Sequence, residues 1–109
     1  MEMRSEKIVF VTGNTSKLVE ARKVACRYGV DLQNRVLEIV EIQSKNPMVV
    51  AQAKAEASYK ILGQPVVVHD SSWSIPALKG FPGAYMHDMV DWFGVEDWIN
   101  LMRRHSDRT

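Results

Sequence analysis

The fold is decided by Ile8-Val9-Phe10-Val11-Thr12-Gly13-Asn14-Thr15-Ser16-Lys17, near the amino end of the chain. The first four residues of this stretch are apolar and favour β-structure, and no polar residue interrupts them, which is typical of a strand covered on both faces. The polar residues that follow lead into a segment with helical spacing. The stretch therefore predicts a strand, a tight loop and a helix.

The predicted loop has the chemistry of a phosphate-binding turn. It presents backbone N–H groups and the positive end of a helix dipole at one place, with Asn14 or Thr15 as the N-cap. Lys17 lies one turn into the helix and can reach a phosphate, while Thr12 and Asn14 can donate hydrogen bonds to its oxygens. An ordinary capped turn with an exposed lysine is the alternative, and on this loop alone it is the better interpretation, because motifs this short arise by chance.

Length and composition narrow the possible classes of protein. The chain has 109 residues, so we expect residues 1–109 to form a single domain with one modest core. A net charge of +1, with acids and bases interspersed, argues against a nucleic-acid partner. No apolar run approaches the ~20 residues of a membrane span, and the first residues do not lead into a signal-peptide apolar region, so we expect a cytoplasmic protein with no membrane partner.

Cys26 is the only cysteine in the sequence. An intrachain disulfide is therefore impossible, and a reducing compartment is favoured. We expect Cys26 to pack as a small apolar residue.

The rest of the chain alternates between helix-like and strand-like segments. In chain order these are a helix ending at Gly29, a strand at 36–40, a helix at 48–62 opened by Pro47 and ended by Gly63, a strand at 65–68, a short return strand at 75–78, and a helix at 86–104 broken at Gly94. Strands that alternate with helices indicate an α/β fold.

Polar residues follow each of the first three predicted strands. They are the loop around Thr12 with Lys17, then Glu41, then Asp70-Ser71-Ser72. Open α/β sheets bind ligands at the carboxyl ends of their strands, and a cationic phosphate-binding loop beside two carboxylates suits nucleotide phosphates with Mg²⁺. Taken singly, Glu41 is better interpreted as a solvated carboxylate and Asp70 as a turn or capping residue. Their convergence is what favours a functional site.

These motifs together resemble the Ham1-like inosine triphosphate pyrophosphatase family, whose members hydrolyse ITP, XTP and dITP to the monophosphate and pyrophosphate. The matching segments are Thr12-Gly13-Asn14-Thr15-Ser16-Lys17, Glu41-Ile42-Gln43, Lys54-Ala55, Asp70-Ser71 and Gly80-Phe81-Pro82-Gly83-Ala84-Tyr85. The resemblance implies the same reaction with Mg²⁺ as cofactor. It also implies an α/β fold with a central mixed sheet flanked by helices, of which this chain is the anticodon-binding-like N-terminal lobe.

The resemblance further implies a role for each matched residue. Glu41 and Asp70 are the expected magnesium ligands, and Asp70 is also the expected base for the water that attacks the α-phosphorus. Asp70 and Lys17 are thus the catalytic candidates. The residues expected to contact the substrate or border its pocket are Thr12, Gly13, Asn14, Lys17, Lys54, Ser71, Ser72, Phe81 and Gly83.

The sequence departs from the family pattern in three respects. Family members are nearly twice as long, and their second half carries an aromatic-Gly-x-Asp-Pro segment and a Ser-His-Arg that grip the base; this chain has neither, since Arg104-His105-Ser106 has another order. His69 stands where the family has an acid, which lowers the negative charge around a metal. Ser72 stands where the family has a glycine, whose backbone adopts angles that serine disfavours.

Two hypotheses from different classes follow. The first is a short magnesium-dependent pyrophosphatase whose base selection is loose or supplied by a partner subunit. Family members are typically homodimers, and Trp92, Phe93 and Trp98 suit a self-association surface, so we expect a homodimer. The second is a non-catalytic nucleotide- or phosphate-binding module, or a degenerate remnant of the family. Trp73 either stacks on a base or covers apolar surface.

Overall fold

The computed structural model describes residues 6–109, and these residues fall into two compact units. The first unit contains residues 6–42 and Ala51–His69, and the second contains Gln43–Val50 and Asp70–Thr109. The prediction of a single domain over 1–109 stays a prediction.

A three-stranded parallel sheet forms the centre of the first unit, in the order β2-β1-β3. The elements are β1 (Glu6–Val11), α1 (Thr15–Arg27), β2 (Val30–Arg35), α2 (Pro47–Leu62) and β3 (Val66–Val67), and the first turn of α2, up to Val50, belongs to the second unit. In the register of the sheet, Phe10 lies between Asn34 on one side and Val67 on the other. The predicted α/β class, with helices beside a sheet, is confirmed.

The core of the first unit is built around β1. Val9, Phe10 and Val11 are at most 4% exposed, as expected for a strand covered on both faces. Phe10 and Leu32 line a cavity with residues of α1, whereas Val66, the register partner of Val9, lines a cavity with residues of α2. Because neighbouring residues of a strand point to opposite faces, α1 and α2 cover opposite sides of the sheet.

Helices α1 and α2 begin and end where the sequence predicts. Asn14 is the N-cap of α1, and Asn46 accepts a hydrogen bond from the Met48 N–H at 3.0 Å at the start of α2. Gly29 (φ 69°) and Gly63 (φ 64°) follow the two helices in the left-handed conformation.

The predicted second strand at 36–40 is wrong. The strand lies at Val30–Arg35, directly after Gly29, and 36–40 has no regular secondary structure. Val36 is 69% exposed and Val40 is 95% exposed, so the apolar run is not part of the core of its unit. The short turn after α1 sets the start of β2. Because this strand lies at the edge of the sheet and contains several polar residues, its hydrophobic pattern does not predict a strand.

The expected burial of Cys26 is also wrong, because the side chain is exposed. The neighbouring Ala25 lines the cavity between α1 and the sheet. Successive residues of a helix point about 100° apart, so Cys26 lies on the solvent side.

The second unit contains an antiparallel strand pair and two short helices. They are β4 (Trp73–Ser74), a 3₁₀ helix (Pro76–Leu78), β5 (Pro82–Gly83), α3 (Met86–Trp92) and α4 (Val95–Met102). The predicted return strand at 75–78 is wrong. Pro76 has no N–H for a ladder, and the Leu78 N–H donates to the Ile75 carbonyl at 3.0 Å, which closes a turn instead. The predicted helix break at Gly94 is confirmed.

An aromatic cluster holds the second unit together. The ring of Trp98 lies 5.0 Å from the rings of Trp73 and Phe93, and 6.3 Å from the ring of Phe81. Such tilted pairs contribute about 0.5–1.5 kcal/mol each beyond the area they bury. Trp73 is nevertheless 41% exposed, so its role stays a prediction. Trp92, by contrast, is 80% exposed.

Over residues 6–109, no helix combines the length and apolar character needed to cross a bilayer.

Candidate functional site

The turn between β1 and α1 is closed by two side-chain hydrogen bonds. Thr12 Oγ1 accepts from the Asn14 N–H at 3.1 Å, and Asn14 Oδ1 accepts from the Lys17 N–H at 3.1 Å. The first intrahelical bond runs from the Leu18 N–H to the Asn14 carbonyl. The N–H groups of Thr15 and Ser16 therefore precede the hydrogen-bonded part of α1, as required of an anion-binding helix start.

Lys17 connects this turn to the end of β3. Its Nζ donates to the carbonyl oxygen of His69 at 3.3 Å. Two of the three predicted strand ends thus meet within the first unit. Asp70 is the next residue along the chain and belongs to the second unit.

Asn34 is a residue of this site that the sequence interpretation missed. Its Nδ2 donates to the carbonyl oxygens of Phe10 at 3.1 Å and Thr12 at 2.9 Å, and the Thr12 N–H donates to the Arg35 carbonyl at 3.2 Å. These bonds fix the end of β1, from which the turn starts. Asparagine is rare in strands, so an asparagine within a strand would have indicated a special role. The strand was predicted at 36–40 instead, and this signal was therefore not visible.

Glu41 and Lys54, two further candidates, lie close together in the first unit. Lys54 Nζ is 3.8 Å from Glu41 Oε1, and the side chains are 21% and 55% exposed. An ion pair this exposed contributes about 0–1 kcal/mol, so its main effect is to orient the two side chains rather than to stabilise the fold.

Three of the predicted substrate residues in the second unit, Ser72, Phe81 and Gly83, line one cavity of about 490 Å³. Gly83 has φ 56°, and a Cβ there would lie 3.4 Å from the Gly80 carbonyl oxygen and 3.7 Å from that of Lys45. Glycine adopts this left-handed backbone without strain, whereas a residue with a side chain would be strained there. Ser71 lies outside this cavity and is exposed.

Two lysines that sequence reasoning did not single out, Lys45 and Lys79, also line this cavity. Lys79 is the only non-glycine residue of 6–109 with a positive φ, at 59°. The φ angle of Ser72 is therefore not positive. A serine in place of the family's glycine causes no backbone strain at this position.

The possible metal ligands are carboxylates. Glu41 lies in the first unit and Asp70 in the second, and the Oδ2 atom of Asp70 is buried. Across residues 6–109 there is no group of three or more His, Cys, Asp and Glu side chains arranged to hold a metal.

Known proteins match this chain over most of its length. The Ham1 family matches residues 8–108. The dITP/XTP pyrophosphatase of Methanopyrus kandleri is 37% identical over 102 residues, which are 94% of this chain and 54% of that protein. The inosine triphosphate pyrophosphatase of Yarrowia lipolytica is 36% identical over the same shares of the two chains.

Similarity to a solved structure agrees with this match. The crystal structure of a nucleoside-triphosphatase / dITP/XTP pyrophosphatase from Mycobacterium abscessus superposes with a TM-score of 0.71 and 25% identity, covering 94% of this chain and 56% of that one. The chain spans about half the length of the curated relatives it matches.

Proposed function

The chain belongs to the Ham1 family, and from this premise we propose that it hydrolyses non-canonical purine nucleoside triphosphates, ITP, XTP and dITP, to the monophosphate and pyrophosphate. The names of the relatives described above support this substrate class. Because the match covers only about half of each relative, it is a proposal that this chain has the activity for which those relatives are named.

The observation that carries the proposal is the bond from Lys17 Nζ to the His69 carbonyl at 3.3 Å. It holds a cation beside the residue that precedes Asp70. A phosphate bound at the start of α1 would meet this ammonium group, which can turn from a neutral carbonyl to a charged phosphate oxygen.

The turn supplies the remaining contacts to the phosphates. Thr12, Gly13 and Asn14 shape the turn, and the N–H groups of Thr15 and Ser16 donate to phosphate oxygens. In the proposal Lys54 adds a second cation. Ser71, Ser72, Phe81 and Gly83 are the proposed substrate contacts of the second unit.

We propose that Glu41 and Asp70 hold Mg²⁺. Carboxylate oxygens are the ligands this ion prefers, and it needs only one or two of them because phosphate oxygens and water complete its coordination. The proposed protein ligands are two carboxylates and no histidine or cysteine, which fits magnesium better than zinc. When bound, the ion neutralises charge on the phosphates.

Asp70 is the proposed base. Its carboxylate orients a water and takes its proton as the oxygen attacks the α-phosphorus, and the bond to the bridging oxygen of pyrophosphate breaks. Lys17 and Lys54 stabilise the negative charge that accumulates on the leaving pyrophosphate.

The test is pyrophosphate release from ITP with Mg²⁺, measured for the native chain, for Asp70→Asn and for the control Asp91→Asn, an exposed aspartate of α3. We expect a loss of at least about 100-fold for Asp70→Asn and none for the control. One observation favours the alternative of a binding module without catalysis, namely His69 in place of an acid. Binding of ITP without pyrophosphate release at any pH or metal would establish that alternative.

We also propose a homodimer in the cytoplasm. The exposed side chains of Trp92 and Val95, at 80% and 76%, support self-association, and an unpaired Cys26 thiol suits a reducing compartment.

A further inference from the structure

We propose that the cavity of the second unit is a second phosphate-binding site, in which Lys45 and Lys79 hold the phosphate group of a nucleotide or inorganic pyrophosphate. The proposal rests in part on the function proposed above, in which Ser72, Phe81 and Gly83 of this cavity contact the substrate. Lys45 and Lys79 add a phosphate contact that is separate from the turn at the start of α1 and does not require hydrolysis.

The lining of the cavity favours an anion. Besides the two lysines, the hydroxyl-bearing residues Ser72, Ser74 and Tyr85 line it, and no acidic residue of 6–109 belongs to its lining. Its volume of about 490 Å³ lies in the range of small-molecule sites. A lining with two lysines, three hydroxyl-bearing residues and no acidic residue favours a phosphate group.

The two lysines are available for a ligand. Within residues 6–109 neither Lys45 nor Lys79 takes part in an ion pair, and the ammonium group of neither makes a hydrogen bond. An arriving anion would therefore displace no existing partner, and the full charge of both groups can act on it.

The backbone holds the two lysines at one cavity. The Lys79 N–H donates to the Pro76 carbonyl at 3.0 Å, and the Gly80 N–H donates to the Ile75 carbonyl at 3.0 Å, which fixes the turn. The close approach of Gly83 to the Lys45 carbonyl joins the segment before α2 to this turn.

The conformation of Lys79 is a second, independent observation. A left-handed backbone costs a residue with a side chain about 1 kcal/mol, which glycine or asparagine would largely avoid. Lys79 is the C-cap of the 3₁₀ helix, so the left-handed backbone is explained by the helix end, but the choice of lysine there rather than glycine is not.

Phe81 gives the cavity an apolar side. Its side chain is 36% exposed, and its ring lies 6.3 Å from the ring of Trp98. A base can stack on this face, so a nucleotide is expected to bind more tightly than pyrophosphate. Because the ring of Trp98 lies this close to Phe81, a ligand that binds against Phe81 should change the tryptophan fluorescence.

The experiment uses the full chain carrying Lys17→Met, which disables the turn at the start of α1, in Mg²⁺-free buffer. Tryptophan fluorescence is titrated with pyrophosphate, with IMP and with inosine. We expect IMP and pyrophosphate to bind, and inosine to bind at least about tenfold more weakly than IMP because it lacks the phosphate.

Lys45→Met with Lys79→Met is then added, and the matched control is Lys23→Met with Lys60→Met, which removes the same charge from outside this cavity. The first pair should raise the dissociation constant for IMP about tenfold or more, and the control less than about twofold. Absence of binding in the Lys17→Met chain, equal effects of the two pairs, or equal binding of inosine and IMP would overturn the proposal. ITP hydrolysis is measured in a separate assay. If the chain does not hydrolyse ITP, the binding titration still tests this proposal.

Discussion

Lys17 Nζ lies 3.3 Å from the carbonyl oxygen of His69, and this hydrogen bond joins the first turn of α1 to the end of β3. The bond spans 52 positions of sequence and connects the turn that is proposed to bind phosphate with the segment that leads to Asp70.

Lys17→Met should abolish the phosphate contact of the turn while leaving the fold intact. The bond to His69 is exposed, so the free energy of unfolding should change by less than about 1 kcal/mol. Pyrophosphate release from ITP should fall at least about tenfold, because a charged hydrogen bond to phosphate is lost. Lys23→Met, on the same helix, is the control; an equal loss in both variants would contradict the assigned role.

Asn14→Ala and Asn14→Asp should separate capping from ligand binding. Alanine removes the acceptor of the Lys17 N–H and should lower the free energy of unfolding by about 1 kcal/mol in urea denaturation. Aspartate keeps the cap and should preserve stability, but its charge opposes phosphate and should weaken ITP binding. Unchanged ITP affinity in Asn14→Asp would argue against phosphate at this turn.

Asn34→Ala should destabilise the first unit more than an ordinary change on an edge strand. It removes the donor to two carbonyl groups at the end of β1, and we expect a loss of about 1–3 kcal/mol. Gln33→Ala, an exposed change in the same strand, should cost under about 0.5 kcal/mol. Similar losses for the two variants in thermal or urea unfolding would contradict the role given to Asn34.

Gly83→Ala and Gly63→Ala should differ in nucleotide binding although both glycines have similar φ angles, 56° and 64°. Each alanine pays for left-handed backbone, about 1 kcal/mol. The new Cβ clashes at neither position: nothing lies within 4 Å of it at Gly63, and at Gly83 the Gly80 and Lys45 carbonyl oxygens lie 3.4 Å and 3.7 Å away, in ordinary van der Waals contact. The two variants should therefore lose similar free energies of unfolding in urea denaturation, but only Gly83→Ala, which alters the cavity of the second unit, should weaken nucleotide binding.

Glu41→Gln should raise the magnesium concentration needed for half-maximal pyrophosphate release by about tenfold, because one anionic ligand is replaced by a neutral one. Removal of the metal with EDTA should stop the reaction of the native chain. Glu38→Gln, an exposed glutamate near Glu41 in sequence, should leave the magnesium requirement unchanged. A shift of equal size in the two variants would exclude Glu41 as a specific ligand.

Much of the first unit could be predicted from local sequence. The apolar run of β1, the caps at Asn14 and Asn46, and the glycines after the helices each act within a few residues, so their effects are visible in the sequence. Strand β2 could not be located in this way. Its position depends on pairing with β1 and on the amide of Asn34, both of which involve residues far apart in the chain.

The same reason limits what the sequence says about the site. The residues of the turn at Thr12 and Lys17 are close in sequence, so their proximity could be predicted, whereas their binding of phosphate stays a prediction. Lys45 and Lys79 are 34 positions apart by their residue numbers, and neither belongs to a motif. Only the folded backbone, with the left-handed Lys79 and the close contact at Gly83, brings them to one cavity.

Cys26 lies exposed on α1 and is the sole thiol in the sequence. Two copies of the chain can therefore become joined through a single disulfide during handling in air, giving a covalent species of twice the mass that imitates a native dimer on a sizing column. Molecular-mass measurements consequently call for a reductant such as TCEP. The same thiol accepts one maleimide dye without any mutation, at a known position on the helix that carries Lys17.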